Sequence, residues 1–355
     1  MKILFYINRL GFAGAQKVIT NLANAFCDED EVIFVTSYDG EDTSCLNKKV
    51  HYISINETLH TPALSRNIRI IKKLRKLLKM HKPDVAVSFM AEPNLRMILS
   101  SFGLPTKTIV SVRNDPSREY HGRLRKRLAT FLFRFADGHV FQTEDAKNFF
   151  PRHIQQKSAI IFNSVDPRFF KERKKDMKDI VNIGRLEPQK NQMLLLLAFS
   201  KIAKDFPTQN LHFYGKGHKA NALKAKIKEL GLKKRVVIHS PKKNINEYLS
   251  RYRLFVLSSD YEGMPNALME AMAMGIPCIS TDCPCGGPKV LLNENQLVPV
   301  GDVDALSEKM REFLLLEDIS PCIENEMRIA KQFEPEKINA IWHEYLNEVS
   351  EDTKI

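Results

Sequence analysis

Short apolar runs alternate with segments of helical period along almost the whole chain, and this alternation limits the possible folds more than any single motif does. In the first half the runs are Ile3–Ile7, Val32–Thr36, Val50–Ile55, Val85–Phe89, Thr108–Val112 and Val140–Gln142. Helical patterns fill several of the intervals, at 15–27, 66–82, 92–101 and 121–136. The second half repeats the style with runs at Ile180–Ile183, Leu211–Tyr214, Val236–His239, Leu254–Leu257 and Cys278–Thr281. Helical patterns there cover 189–205, 218–231, 245–252, 264–274, 303–316 and 320–333. Strands separated by helices pair in parallel through crossover connections, so the expectation is open α/β sheets. A length of 355 residues favours two such domains. They are expected at 1–168 and 169–334, with a cleft between them and the join in the charged stretch Asp166–Lys178. Residues 335–355 form a final helix with an apolar stripe of Ile338, Ile341, Trp342, Tyr345 and Val349. That stripe either packs on its own domain or bridges back to the first.

Composition narrows the class. The chain is 43% hydrophobic and 27% charged, ordinary for a globular protein. No run approaches the roughly 18 apolar residues of a membrane span. The opening MKILFYINRLG reads as a first strand rather than a leader. Six cysteines show no zinc or disulfide spacing and are expected to be free thiols in a reducing cytoplasm. The net charge of +12 is concentrated in the first half, where residues 1–170 hold 26 Lys and Arg against 16 Asp and Glu. That imbalance bears on partners rather than fold.

The most informative stretch is Leu254–Asp282. An apolar run leads into a polar loop, Ser258–Gly263, and Pro265 then opens a helix that ends before Gly275. The helix is apolar except for Asn266 and Glu270, which four-residue spacing puts on one face. A helix of this kind is expected to be buried, and a buried carboxylate needs a partner. Glu262 precedes it, so two carboxylates flank a helix start whose free amides favour an anion. Hydroxyls together with a phosphate would suit the place.

Three other loops follow strands. Asn8–Gln16 carries two glycines after the first strand, one short of the dinucleotide fingerprint, and is either a ligand loop or a plain tight turn. Ile183–Asn191 places Arg185 and Lys190 beside a helix start, where they neutralise a diphosphate or make surface ion pairs. Tyr214-Gly215-Lys216-Gly217 repeats the strand-to-glycine design. Residues 66–82 hold eight Lys and Arg and no acid, and 121–127 add a second basic patch. These helices suit an anionic membrane surface, or they pack an apolar face on the sheet and leave a solvated basic one. No recognised nucleic-acid motif accompanies them. Cys283-Pro284-Cys285 lacks the further ligands of a metal site, and Asp28-Glu29-Asp30 reads as a charged turn.

Taken together these residues resemble glycosyltransferase family 4, the retaining transferases of the GT-B fold, in which two Rossmann-like doubly wound parallel-sheet domains face each other across a central cleft. The most specific match is the run from Glu262 to Glu270, two glutamates separated by seven residues. Gly275-Ile276-Pro277, Thr281-Asp282, Gly184-Arg185-Leu186 with Lys190-Asn191, the run 140–144 and Asn163–Asp166 extend it over nearly the whole chain. The resemblance implies that Glu262 contacts donor sugar hydroxyls and that backbone from Gly263 through Met264 to Asn266 lines the sugar. Amides near Ala267 and Leu268 would meet the phosphate, and Glu270 would hold the ribose. Arg185 and Lys190 would offset charge on the leaving diphosphate, with Gly14 and Gly215 in the substrate site as well. Many relatives carry a histidine after the fifth strand near the reacting carbon; Arg113 takes that place here, and arginine cannot act as a base at neutral pH. The implied activity is transfer from a nucleotide-sugar, expected to be a UDP-sugar, to a lipid-linked saccharide in bacterial surface polysaccharide or lipopolysaccharide synthesis. It would proceed at the inner face of the cell membrane with no metal and no cofactor. A phospholipid acceptor, a nucleotide-sugar 2-epimerase on the same fold and a non-enzymatic basic binding protein are the rival readings.

Overall fold

A computed structural model describes residues 1–11, 14–39, 43–171 and 177–351. Seven parallel strands form the first sheet: β1 (Lys2–Ile7), β2 (Glu31–Thr36), β3 (His51–Ser54), β4 (Val85–Phe89), β5 (Lys107–Ser111), β6 (Gly138–Phe141) and β7 (Ser158–Ile160). Six more form the second: β8 (Asp179–Ile183), β9 (Leu211–Tyr214), β10 (Val236–His239), β11 (Tyr252–Leu257), β12 (Cys278–Thr281) and β13 (Leu297–Val298). Every apolar run read from the sequence contributes to one of these strands. Central strands covered by helices on both faces lose the polar alternation of half-buried strands, which is why they appear as continuous apolar runs. The two strands without such a run, β7 and β13, lie at sheet edges and are three and two residues long.

The strand orders are β3-β2-β1-β4-β5-β6-β7 and β10-β9-β8-β11-β12-β13. In each sheet the order reverses beside its first strand, between β1 and β4 and between β8 and β11. Loops leaving the carboxyl ends of strands at such a reversal diverge to opposite faces and open a crevice for ligands. In the second sheet these loops are 184–191 and 258–265, which contain Arg185, Lys190 and Glu262.

The chain divides into two compact units, residues 1–163 with the segment from Glu336 onward, and residues 164–335. Residues 172–176, within the stretch where the sequence suggests a join, lie outside the described residues. In the first unit the helix Ala63–His81 buries Ile70, Leu74 and Leu78 against the sheet, so much of its apolar face is committed to the core. Within the expected helical segment 121–136 a helix runs Arg123–Phe133, starting after Gly122 at φ 87°, and a separate four-residue helix, Pro116–Glu119, precedes it. The helix Pro335–Glu351 belongs to the first unit. Its Trp342 is fully buried and stacks on Phe89 at 5.7 Å, while the Tyr345 hydroxyl accepts from the His139 amide at 2.9 Å.

Candidate active site

The second unit ties its two crevice loops together before any ligand is considered. Pro188–Lys190 make one 3₁₀ turn, and Asn191 adopts a left-handed conformation at φ 38° to cap the helix Gln192–Ile202. Asparagine tolerates that conformation better than most residues. The Asn191 side chain also donates to Asp260 at 2.7 Å, and the Asp260 amide donates to the Gln189 carbonyl at 2.8 Å. Gln189 Nε2 reaches the Tyr261 carbonyl at 3.0 Å, and Ser258 Oγ reaches the Lys190 carbonyl at 3.0 Å. Four hydrogen bonds thus hold the loop after β8 against the loop after β11.

At their meeting point Lys190 Nζ donates to Glu262 Oε1. The Glu262 side chain is 6% exposed and that of Lys190 17%. Ser259 Oγ donates to the same carboxylate oxygen at 2.5 Å, and Thr281 at the end of β12 fixes Ser259 by donating to its carbonyl at 2.6 Å. A buried carboxylate is stable only when its charge is paired and hydrogen-bonded, and Glu262 has both kinds of partner.

One expectation from the sequence changes here. The buried glutamate in need of a partner is Glu262; Glu270, one helical face further on, is half-buried. Arg168, held by Asp166, lies close enough to Glu270 to feel its charge. The sequence offered Arg185 and Lys190 as cations for a diphosphate or as members of ion pairs, and in the structure Lys190 pairs with Glu262. Arg185 is exposed and donates to Gln189 at 3.2 Å.

The helix itself runs Asn266–Ala273, with Pro265 as the residue before its first turn rather than within it. Met264 and Leu268 are buried, Gly263 is buried, and Asn266 and Ala267 are half-buried at the helix start. The Leu268 amide, assigned to a phosphate by the resemblance, already donates to the Pro265 carbonyl at 3.1 Å. A first-turn amide has no partner one full helical turn back, and the Pro265 carbonyl supplies one here.

Close backbone packing supports the loops from below. A Cβ on Gly287 would lie 1.7 Å from the Gly263 carbonyl oxygen, and one on Gly215 would lie 1.9 Å from that of Gly184. Gly215 therefore lets β9 approach the loop after β8, a packing role the sequence did not separate from ligand contact. Ser259 and Gly287 were not singled out from the sequence, and Thr281 entered only as part of the matching run that ends at Asp282. Ser259 is the second residue after an apolar strand, in a loop rich in polar residues, which was the available signal; Gly287 had none beyond its neighbour Gly286. Cys283 is buried near Glu262, and burial, then that carboxylate, push its thiol up to about 12. All six cysteines are free.

In the first unit Arg113 follows β5, 8% exposed, with its guanidinium over the Phe89 ring at 4.5 Å. It donates to Ser111 Oγ at 3.2 Å and to Asn163 Oδ1, and burial lowers it to about 9. Both acceptors are neutral. Gly14 is the exposed first residue of the helix Gly14–Phe26; Phe12 and Ala13 before it lie outside the described residues. Arg96 Nη1 donates to Asn8 Oδ1 at 2.6 Å and so fixes the start of that loop.

The second unit thus offers a buried lysine–glutamate pair, an exposed guanidinium and the start of a buried helix, all at one sheet's reversal point. Such a set can hold hydroxyls and a polyanion together. With two parallel α/β sheets in one chain, the architecture is GT-B, the fold of many sugar transferases. Two family models match in succession: "Glycosyltransferase Family 4" over residues 12–169 and "Glycosyl transferases group 1" over 165–332. The chain belongs to the family 4 type of glycosyltransferase. Among curated relatives it is 29% identical to an α-1,4-N-acetyl-D-galactosaminyltransferase of Campylobacter jejuni named for a PP-undecaprenol-linked saccharide, over 98% of this chain and 99% of that one. It is 24% identical to the lipopolysaccharide 1,6-galactosyltransferase of Salmonella typhimurium, over 86% and 87% of the two chains. The Anabaena protein HepE, solved with UDP-glucose, superposes with a TM-score of 0.83 at 19% identity, covering 98% of this chain and all of that one, and so shares the fold.

Proposed function

We propose that the chain is a retaining, metal-independent glycosyltransferase that moves a sugar from a UDP-sugar to a lipid-linked saccharide during synthesis of a bacterial surface polysaccharide or lipopolysaccharide. The observation that carries the donor half is the Lys190–Glu262 pair, buried where the loops after β8 and β11 meet. Departure of a nucleoside diphosphate from an oxocarbenium-like centre needs charge stabilisation more than a strong base. In this reading a donor sugar hydroxyl donates to the Glu262 oxygen not taken by Lys190. The leaving diphosphate lies towards Lys190, Arg185 and the helix start at Asn266–Ala267, and Glu270 receives the ribose. The relatives' names, a PP-undecaprenol saccharide in one and lipopolysaccharide in the other, support the acceptor class.

Peripheral membrane association is part of the same proposal. The helix Arg123–Phe133 exposes Leu124, Leu128 and Phe131 among Arg123, Arg125, Lys126 and Arg127, with Phe135 and Phe102 beside it. Apolar side chains exposed among cations suit an anionic lipid surface. No helix among the described residues is long and apolar enough to cross a membrane.

A panel of nucleotide-sugars read by thermal shift tests the donor, since a ligand raises stability by mass action. The anomer of the product and activity in EDTA test the mechanism; inversion, or complete loss with chelator, refutes it. Glu270→Gln is expected to weaken donor binding chiefly, and Glu262→Gln to slow transfer chiefly. Full activity in both removes the assignment. Epimerised UDP-sugar formed without acceptor would favour the epimerase instead.

A further inference from the structure

Two consecutive serines, Ser258 and Ser259, follow β11 and are fully buried. Their hydroxyls reach different loops. Ser258 Oγ donates to the Lys190 carbonyl and so holds the backbone of the loop after β8. Ser259 Oγ donates to Glu262 Oε1 at 2.5 Å, three residues further along its own loop. The position of Ser259 is set from a second strand as well. Thr281, fully buried at the end of β12, donates from Oγ1 to the Ser259 carbonyl at 2.6 Å.

Lys190 and Ser259 donate to the same oxygen of Glu262, and among the described residues no hydrogen-bond donor reaches its Oε2. The two donors are not equivalent. An ammonium carries three rotatable protons and holds either oxygen of a carboxylate equally well. A hydroxyl anchored at a strand end is directional, and its bond to an ionised acceptor is about twice as strong as a neutral one. The terminal torsion of a glutamate is broad and roughly two-fold, so with the ammonium alone either oxygen could face outward. Lys190 therefore supplies the charge, and Ser259 decides which oxygen meets it and which stays open.

We propose that Ser259, held by Thr281, is a positioning residue for donor choice. It leaves Glu262 Oε2 as one oriented acceptor for a hydroxyl of the transferred sugar, and so selects among sugars that differ in the direction of a single hydroxyl. This deepens the donor-site reading above and rests on it. A site built to pair with one hydroxyl rejects a sugar that points it elsewhere, because a buried acceptor is then left unpaired. An acceptor free to turn accommodates both sugars and loses the distinction.

Calorimetric binding to the full chain tests this with UDP, UDP-glucose, UDP-galactose, UDP-N-acetylglucosamine and UDP-N-acetylgalactosamine. Wild type is compared with Ser259→Ala, Thr281→Val and Thr281→Ser. Wild type is expected to separate at least one epimeric pair by about tenfold or more, the value of one good hydrogen bond. Ser259→Ala is expected to bring that pair to within about twofold, while UDP itself binds within about twofold of wild type. Thr281→Val keeps the shape but removes the hydroxyl, and is expected to lower the ratio too. Thr281→Ser keeps the hydroxyl and is expected to preserve it. A merely structural role weakens UDP and all four donors alike, and that result overturns the proposal. So does a wild-type ratio near one, or a ratio that persists in Ser259→Ala. Wild type that binds neither UDP nor any donor refutes the donor reading together with this proposal, whereas donor binding with an unchanged ratio refutes this proposal alone.

Discussion

Severing the Lys190–Glu262 pair gives the sharpest test of the site. At hydrogen-bonding range and an effective dielectric of about 20, the gross attraction is about 5 kcal/mol. Desolvation offsets much of that, so the net worth of the pair is small while the loss of one member is large. Glu262→Gln strands a lysine whose side chain is 17% exposed, and is expected to destabilise the second unit by about 2–4 kcal/mol. Lys190→Met strands a carboxylate that is only 6% exposed, with Ser259 as its remaining partner, and is expected to cost about 3–5 kcal/mol. In the double variant neither charge remains, so its loss should fall about 2–3 kcal/mol short of the sum. The only tryptophan, Trp342, lies in the first unit and is a poor reporter here. Amide hydrogen exchange in β8 and β11 is the suitable assay, and a change of 2–3 kcal/mol there is roughly a 30- to 150-fold change in rate. Single effects that add to within about 0.5 kcal/mol would show that the two side chains do not share a desolvated contact. The donor site built on that contact would then be wrong.

Three further predictions concern other parts of the molecule. Gly287→Ala drives a methyl into the Gly263 carbonyl and is expected to cost about 1–3 kcal/mol while weakening UDP binding; unchanged UDP affinity would separate that loop from the site. Glu326 is buried, and burial raises its carboxyl from 4.5 to about 7, although Cys278 N and Gln296 Nε2 donate to it at 3.0 and 2.6 Å. The folded state therefore holds a proton that the unfolded state releases above about pH 4.5, and stability falls as pH rises from there to about 7. Glu326→Gln should thus stabilise by about 2–3 kcal/mol above pH 7, with the gain gone below pH 4.5; a pH-independent difference in urea midpoints would contradict this. Binding to anionic vesicles is expected to weaken with salt and with charge removal at Lys72, Lys73, Arg75, Lys76 and Lys79, and Phe131→Ser should lower the part that survives high salt. Salt-insensitive binding, or none, would remove the membrane role.

By itself the sequence determined the class of fold, because strands buried on both faces must be continuously apolar and their crossover helices must be amphipathic. It also located the two loops at the second sheet's reversal point, since polar and glycine-containing segments directly after apolar runs have few other uses. Edge strands β7 and β13 escaped it, being too short to show a pattern. Tertiary structure alone decided the partnerships. Lys190 and Glu262 are 72 residues apart. Whether a lysine faces a diphosphate or a neighbouring glutamate depends on how two loops meet, which no local pattern encodes. The same holds for the final helix, whose apolar stripe fitted either unit until Trp342 was found on Phe89.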